Sequence, residues 1–136
     1  MNLAEAKGYL QLRTEGEVLL SSIKAADSFG IRSSGLMGRA SVPKRWGAGL
    51  FFPNCRSLHG CFMRFELEVW FLDREGQPIG GGRRLDPWRM LAGPKGTRHC
   101  MEITPGLLDA VDCADWEWEG VATPLARGMG GVVVPG

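Results

Sequence analysis

No stretch of this 136-residue chain approaches the roughly twenty consecutive apolar residues that a membrane-spanning helix requires. Residues 69–72 are typical of its longest apolar runs, and they are strand-sized. An excess of one charge is missing too. Sixteen Lys and Arg against fifteen Asp and Glu leave a formal charge of +1. With no blocks of like charge either, the chain has no general pull toward nucleic acid or anionic lipid. The opening Met1-Asn2-Leu3-Ala4-Glu5-Ala6-Lys7 puts charges where a secretory leader carries its apolar stretch, so a cytoplasmic protein is expected. The four cysteines, Cys55, Cys61, Cys100 and Cys113, include no CxxC pair, which removes the zinc-ribbon and thioredoxin-like signatures. In a reducing compartment they read as free, packed thiols. Neither GxxxxGK[ST] nor Gly-x-Ser-x-Gly occurs. Gly80-Gly81-Gly82 before Arg83 and Arg84 lacks the phosphate-loop spacing and has no clear helix behind it.

What is present is mostly strand signal. Residues 8–14 alternate apolar and polar side chains, Glu15-Gly16 suits a tight turn, and residues 18–22 read as the returning strand. Residues 25–37 suit a short helix capped by Asp27 or Ser28 and shortened by Gly30 and Gly35. Residues 39–49 are expected to be a loop, and residues 49–52 a strand ended by Pro53. The strongest strand signal is residues 62–72, with Phe65, Leu67, Val69 and Phe71 on one face and Arg64, Glu66, Glu68 and Trp70 on the other. A turn at residues 73–76 would lead to a returning strand at 77–82 that frays at its glycines. Residues 85–94 read as a loop, and Arg83 and Arg84, which follow the glycine run, read as loop charges. Residues 98–104 read as a strand, 105–111 as a helical turn or two, and 115–119 as a closing edge strand with a charged face. The expected fold is mainly β: a small compact barrel or sandwich of short, mostly antiparallel strands with one or two short helices. It would be one domain over residues 1–119, followed by a loosely ordered Gly/Pro-rich tail at 120–136.

Three segments in order carry a family resemblance. The first is Arg32-Ser33-Ser34-Gly35-Leu36-Met37-Gly38-Arg39. The second runs Gly49-Leu50-Phe51-Phe52-Pro53, then His59-Gly60-Cys61-Phe62-Met63-Arg64-Phe65, and on through Val69-Trp70-Phe71-Leu72-Asp73-Arg74-Glu75-Gly76. The third is Met101-Glu102-Ile103-Thr104-Pro105-Gly106. Together they resemble the domain of unknown function 192 family of small bacterial and archaeal β proteins, over about residues 8–119. The resemblance implies a small barrel-like β fold and no reaction. Where members commonly read Pro-Ile-Asp, this chain has Glu66-Leu67-Glu68, so the acidic group persists at Glu68 with one more methylene and a proline bend is lost.

Three groups of residues suggest chemistry. His59, Met63, Arg64 and Glu68 lie on or just before the longest predicted strand, where a cation and carboxylates sharing a face would hold a polar ligand. A solvated face with weak ion pairs is the plain alternative. Arg32, Arg39, Arg64 and Arg89 lie in or beside the family-like segments and would bind an anion if two converged, though an arginine beside Trp88 also suits stacking. Cys55, His59, Cys61, His99 and Cys100 are chemically suited to zinc, but their spacing matches no standard site. No catalytic residue, metal or cofactor is assigned. The favoured reading is a non-enzymatic binding or accessory domain whose pocket uses His59, Met63, Arg64, Trp88 and Arg89. Arg39, Glu68 and Glu102 support it, a small anionic molecule is the expected ligand, and no nucleic acid or membrane is involved. Two alternatives stand beside it. One is a hydrolase or isomerase using His59 or Glu68 as base. The other is a protein-binding module using an exposed patch of Trp116, Trp118 and residues 132–134.

Overall fold

The computed structural model describes residues 1–60, 63–108 and 115–122. Nine strands and one short α-helix are found there. In chain order they are β1 (Tyr9–Thr14), β2 (Glu17–Ala25), α1 (Phe29–Ser34), β3 (Gly49–Phe52), β4 (Ser57–His59), β5 (Leu67–Leu72), β6 (Arg83–Leu85), β7 (Met90–Ala92), β8 (His99–Ile103) and β9 (Trp116–Val121). Seven form one sheet in the order β6-β5-β8-β3-β2-β1-β9, while β4 and β7 pair separately.

The N-terminal hairpin forms because Glu15 and Gly16 both take positive φ (44° and 84°), the geometry that lets a two-residue turn match the twist of its strands. β2 then meets β3 in parallel, Lys24 opposite Leu50. Parallel neighbours need a long crossover, and residues 26–48 supply it. That crossover carries α1, whose first turn is capped by the Ser28 hydroxyl accepting from the Ile31 amide at 3.2 Å. The remaining ladders are antiparallel.

β8 lies between β3 and β5 and is buried along its whole length. Its side chains alternate between two apolar clusters. Met101 and Ile103 join Leu10, Leu12, Ile23, Phe51, Trp70 and Leu72 in one cluster. Cys100 joins Leu50, Phe52, Leu67, Val69 and Phe71 in the other, covered by Leu36, Leu58 and Met63. The sheet bends until its last strand covers the first cluster. Trp116 of β9 sits 5.3 Å from Trp70 of β5, ring centre to ring centre, and Trp118 sits 5.1 Å from Phe51 of β3. Hydrogen bonds fasten this contact. The Gln77 side chain donates to the Trp116 carbonyl oxygen at 2.7 Å and accepts from its amide at 2.9 Å. The Trp118 indole donates to the Gly76 carbonyl oxygen at 2.9 Å. Gly76 has φ +82°, and a Cβ there would press into Leu3 and Trp118. The outer strands β6 and β9 do not pair, so the architecture is sandwich-like and not a closed barrel.

Several expectations are corrected. The long strand begins at Leu67, not at residue 62, and its second face is not solvated: Trp70 and Leu72 are buried there. An alternating pattern assigns one face to water only when nothing covers it, and here β9 does. The strand returning from β5 is Arg83–Leu85, so Arg83 and Arg84 are strand residues while residues 77–82 make the connection, apart from a single bridge between Leu72 and Pro78. The expected loop at residues 85–94 contains β7. Trp116 and Trp118 are buried, which removes the exposed patch they were expected to form. Residues 132–134 and nearly all of the expected tail lie outside the described residues, and β9 itself runs to Val121. Among the described residues no helix is long and apolar enough to cross a membrane.

The Gln77 clamp gives a direct test of how the sandwich closes. Gln77→Ala leaves the amide and carbonyl of Trp116 without their partner, and a lost buried hydrogen bond costs about 1–3 kcal/mol. Urea unfolding is expected to register a destabilisation of about 2 kcal/mol. A change below a few tenths would mean that the tryptophan packing alone holds β9 in place.

Candidate functional site

β3 ends at Pro53, and Asn54 takes the left-handed conformation (φ 55°), which asparagine tolerates better than most residues. The chain turns back so that the Cys55 amide donates to the Arg98 carbonyl oxygen at 2.9 Å. Cys55 thereby lands beside β8. There the Cys100 thiol donates to the Cys55 carbonyl oxygen at 2.8 Å, and the Cys55 thiol to that of Ser57 at 3.1 Å. From the other side α1 projects Arg32, whose guanidinium donates to the Pro53 carbonyl oxygen at 2.8 Å. Gly35 ends the helix with φ 44° and a backbone hydrogen bond to Ile31, and the chain passes over the sheet at Leu36 and Met37.

A pocket of about 130 Å³ lies between this crossover and the sheet. Glu102 and Cys55 meet it from the sheet side, Arg32 and Leu36 from the crossover, and His59 and Met63 from β4 and the segment after it. Phe52 and Leu58 add apolar wall. Each of the three family-like segments contributes: Arg32, Gly35, Leu36 and Met37 from the first, Phe52, His59 and Met63 from the second, and Glu102 from the third.

Glu102 is the unusual group. It is 4% exposed, and among the described residues no hydrogen-bond donor reaches its carboxyl group. Burial, together with the charge of Cys55, raises its pKa from 4.5 to about 8, so it is a neutral carboxylic acid at pH 7. The Cys55 thiol moves the other way, from 9.0 to about 6. A hydrogen bond from the Cys100 thiol is the main cause; burial opposes it, and the Ser57 backbone and the Arg32 charge reinforce it. The Cys100 thiol is raised in turn by the same hydrogen bond and by burial. The pocket therefore combines a thiolate, a carboxylic acid and a guanidinium with apolar walls.

The eight residues expected to form a site separate into two groups. His59, Met63 and Glu102 line the pocket, with His59 exposed at its rim. The other five are not among the lining residues. Arg39 stacks on Trp46 at 4.8 Å and donates to the Gly35 carbonyl oxygen. Glu68 accepts from the Trp70 indole at 2.6 Å and from the Gly106 amide at 3.2 Å, so it ties β5 to the turn after β8. Arg64, Trp88 and Arg89 are exposed. Of the four arginines considered for an anion site, only Arg32 lines this pocket.

Within the cysteine and histidine set, Cys55 and Cys100 come together. His99 points to the opposite face of β8, packed against Phe51, with its Nδ1 accepting from the Asn54 amide at 3.0 Å. Burial and the neighbouring Arg98 charge hold His99 below its usual pKa. Cys61 lies outside the described residues, and among those described no three His, Cys, Asp or Glu side chains are grouped to hold a metal ion. Sequence reasoning grouped Cys55 with Cys100 only as members of a five-residue metal set, not as a pair of thiols. Forty-four residues separate them, and only the pairing of β3 with β8 makes them neighbours. Arg32 was visible, but as one arginine among four.

The raised pKa of Glu102 has a measurable consequence. The folded protein holds this proton to about pH 8 and the unfolded chain only to about 4.5, so the stability it contributes is complete below about 4.5 and lost as pH rises to about 8. Cys55, depressed to about 6, acts in the opposite sense and is present in both proteins of the comparison. Glu102→Gln removes the ionisation at nearly constant shape. Urea unfolding is expected to find the two proteins similar at pH 5 and the variant ahead by roughly 4 kcal/mol at pH 9. A constant gap across that range would place Glu102 in contact with water.

The comparisons with known proteins bear on the family and the fold. The family model for domain of unknown function 192, described as "Uncharacterized ACR", matches residues 10–115. A UPF0127 protein of Thermococcus sibiricus is 29% identical over 116 residues, an alignment that covers 79% of this chain and 73% of that one. The structure of a protein of unknown function from Novosphingobium aromaticivorans superposes with a TM-score of 0.63 at 14% identity, covering 88% of this chain and 98% of the other. That of a putative transcription regulator from Sinorhizobium meliloti gives 0.64 at 15% identity, covering 85% and 95%. At such identities the two structures show a shared fold alone.

Proposed function

The chain belongs to the domain of unknown function 192 family, and we propose that it is a small-molecule-binding domain whose ligand is a compact carbonyl compound held by Glu102. The observation that carries this reading is the neutral carboxyl group of Glu102, buried except toward the pocket that it lines. The acid meets the pocket, where a ligand oxygen takes the place that water otherwise fills.

The chemistry of the walls narrows the ligand. A carboxylic acid and a guanidinium both donate hydrogen bonds, so the polar end of the ligand is an acceptor. Leu36, Phe52, Leu58 and Met63 suit an apolar body. A dry cavity of about 150 Å³ admits benzene, so a space of about 130 Å³ takes a molecule of about six heavy atoms. Charge favours a neutral ligand over the anion expected from the arginines. Arg32 is exposed, and its charge is balanced by the Cys55 thiolate in the same pocket. A pocket whose charges balance gives a carboxylate no gain to offset its desolvation, a cost that an amide or ketone is largely spared.

Titration of the reduced protein with isobutyramide and with isobutyrate at pH 7, followed by amide chemical shifts, tests this reading. Isobutyramide is expected to bind with a Kd of order millimolar and to move the signals of Leu36, Met63 and Glu102. Isobutyrate should bind at least several-fold more weakly. Glu102→Gln keeps a donor and should keep binding, while Glu102→Leu should lose it. Equal binding of the acid and the amide, or binding unaffected by Glu102→Leu, would overturn the assignment.

A further inference from the structure

Cys55 and Cys100 do more than shape this pocket, and we propose that they form a reactive dithiol in which Cys55 is the attacking sulfur and Cys100 the resolving one, oxidised to a disulfide by a small hydroperoxide. The geometry supplies what such a pair needs. The Cys100 thiol donates to the Cys55 carbonyl oxygen at 2.8 Å, which sets the two cysteines side by side. Cys55 lines the pocket and is half-buried, so a small molecule meets it first; Cys100 has no exposed surface and lies behind it. Strand pairing of β3 with β8 fixes one partner, and the turn through Pro53 and Asn54 returns the other to it. The pocket admits a peroxide easily at about 130 Å³.

The surrounding groups suit each role. Cys55 carries its charge from about pH 6 upward, and the thiolate is the nucleophilic form. Arg32 supplies a positive charge near both sulfurs. Glu102 remains protonated at neutral pH and is an acid able to protonate a departing alkoxide.

The steps balance as follows. The Cys55 thiolate attacks the terminal oxygen of the hydroperoxide, the O–O bond breaks, and the alkoxide leaves as an alcohol with the proton of Glu102. Cys55 is then a sulfenic acid. Cys100 gives up its proton and attacks that sulfur, and hydroxide departs with the proton as water. Glu102 regains its proton from water, so that one thiolate, one thiol, one proton and one hydroperoxide become one disulfide, one alcohol and one water. The thiols lose two electrons and the peroxide gains them. Return to the dithiol consumes an external thiol by exchange. This chemistry is independent of amide binding, which is measured on the reduced protein and involves no covalent change.

Hydrogen peroxide is the probe. The reduced full-length chain is treated at pH 7 with a small excess, free thiols are blocked with N-ethylmaleimide, and intact and peptide masses are recorded. The expected product has lost two hydrogens and contains a Cys55–Cys100 linkage. Cys55 should react at least roughly tenfold faster than a free thiol of ordinary pKa such as N-acetylcysteine, as its thiolate fraction requires. In Cys100→Ser, which keeps a hydrogen-bond donor beside Cys55, the reaction should stop at a sulfenic acid on Cys55, trapped by dimedone. In Cys55→Ser neither product should form, with circular dichroism confirming that both variants remain folded. A wild-type protein whose Cys55 and Cys100 stay free, or whose oxidation maps first to Cys61 or Cys113, would overturn the proposal, and so would Cys100→Ser without a dimedone adduct.

Discussion

The structure depends on one strand that has no solvent-facing side. β8 is hydrogen-bonded on both edges, to β3 and to β5, and all five of its side chains are buried. Alternation along a strand is unavoidable, so successive residues must enter two different interiors. Met101 and Ile103 enter one, and Cys100 and Glu102 line the other. A carboxyl group in that position has no route to bulk water except through the pocket. Its protonated state, the charge of Cys55 and the character of the site all follow from that placement.

Covering both faces of β8 takes two different devices. On the first face the sheet bends upon itself and β9 brings two tryptophans down on Phe51 and Trp70, held in register by Gln77 and Gly76. On the second, the parallel step from β2 to β3 forces a long crossover, and that crossover brings α1 and Leu36 over the sheet. The cover is incomplete, and the space left between crossover and sheet is the pocket. The site thus arises from a topological requirement: where a parallel pair sits in a mostly antiparallel sheet, some segment must cross a face.

Much of this was legible in advance. The hairpin, the Ser28 cap, the Gly49–Phe52 strand ended by Pro53 and the edge strand of Trp116 and Trp118 follow from turn chemistry and period-two patterns, which act over a few residues. The misjudged elements share a physical cause. Trp70 was placed on a face shared with Arg64, Glu66 and Glu68, yet it packs under β9, which begins 46 residues later. The triple glycine disguised a connection as a strand, and Arg83 and Arg84 as a loop, because β6 is a three-residue edge strand with little pattern of its own. Among the site residues, His59, Met63 and Glu102 were visible through the segments that carry the family resemblance. Glu68 and Arg39 came from the same segments, but the fold uses them to tie strand to turn and arginine to tryptophan.

The sequence by itself determined the class of fold, the absence of a strong charge field and the approximate positions of most strands, because hydrophobic period and turn residues are local properties of the chain. Tertiary structure alone decided which groups share a pocket and in what ionisation state. Glu102 is one acidic residue among fifteen and Cys55 one thiol among four. Nothing nearby in the chain distinguishes them. Proton affinity is set by solvation and by neighbours in space, and those neighbours arrive from α1, the turn after β3 and the strand β8, far apart in sequence.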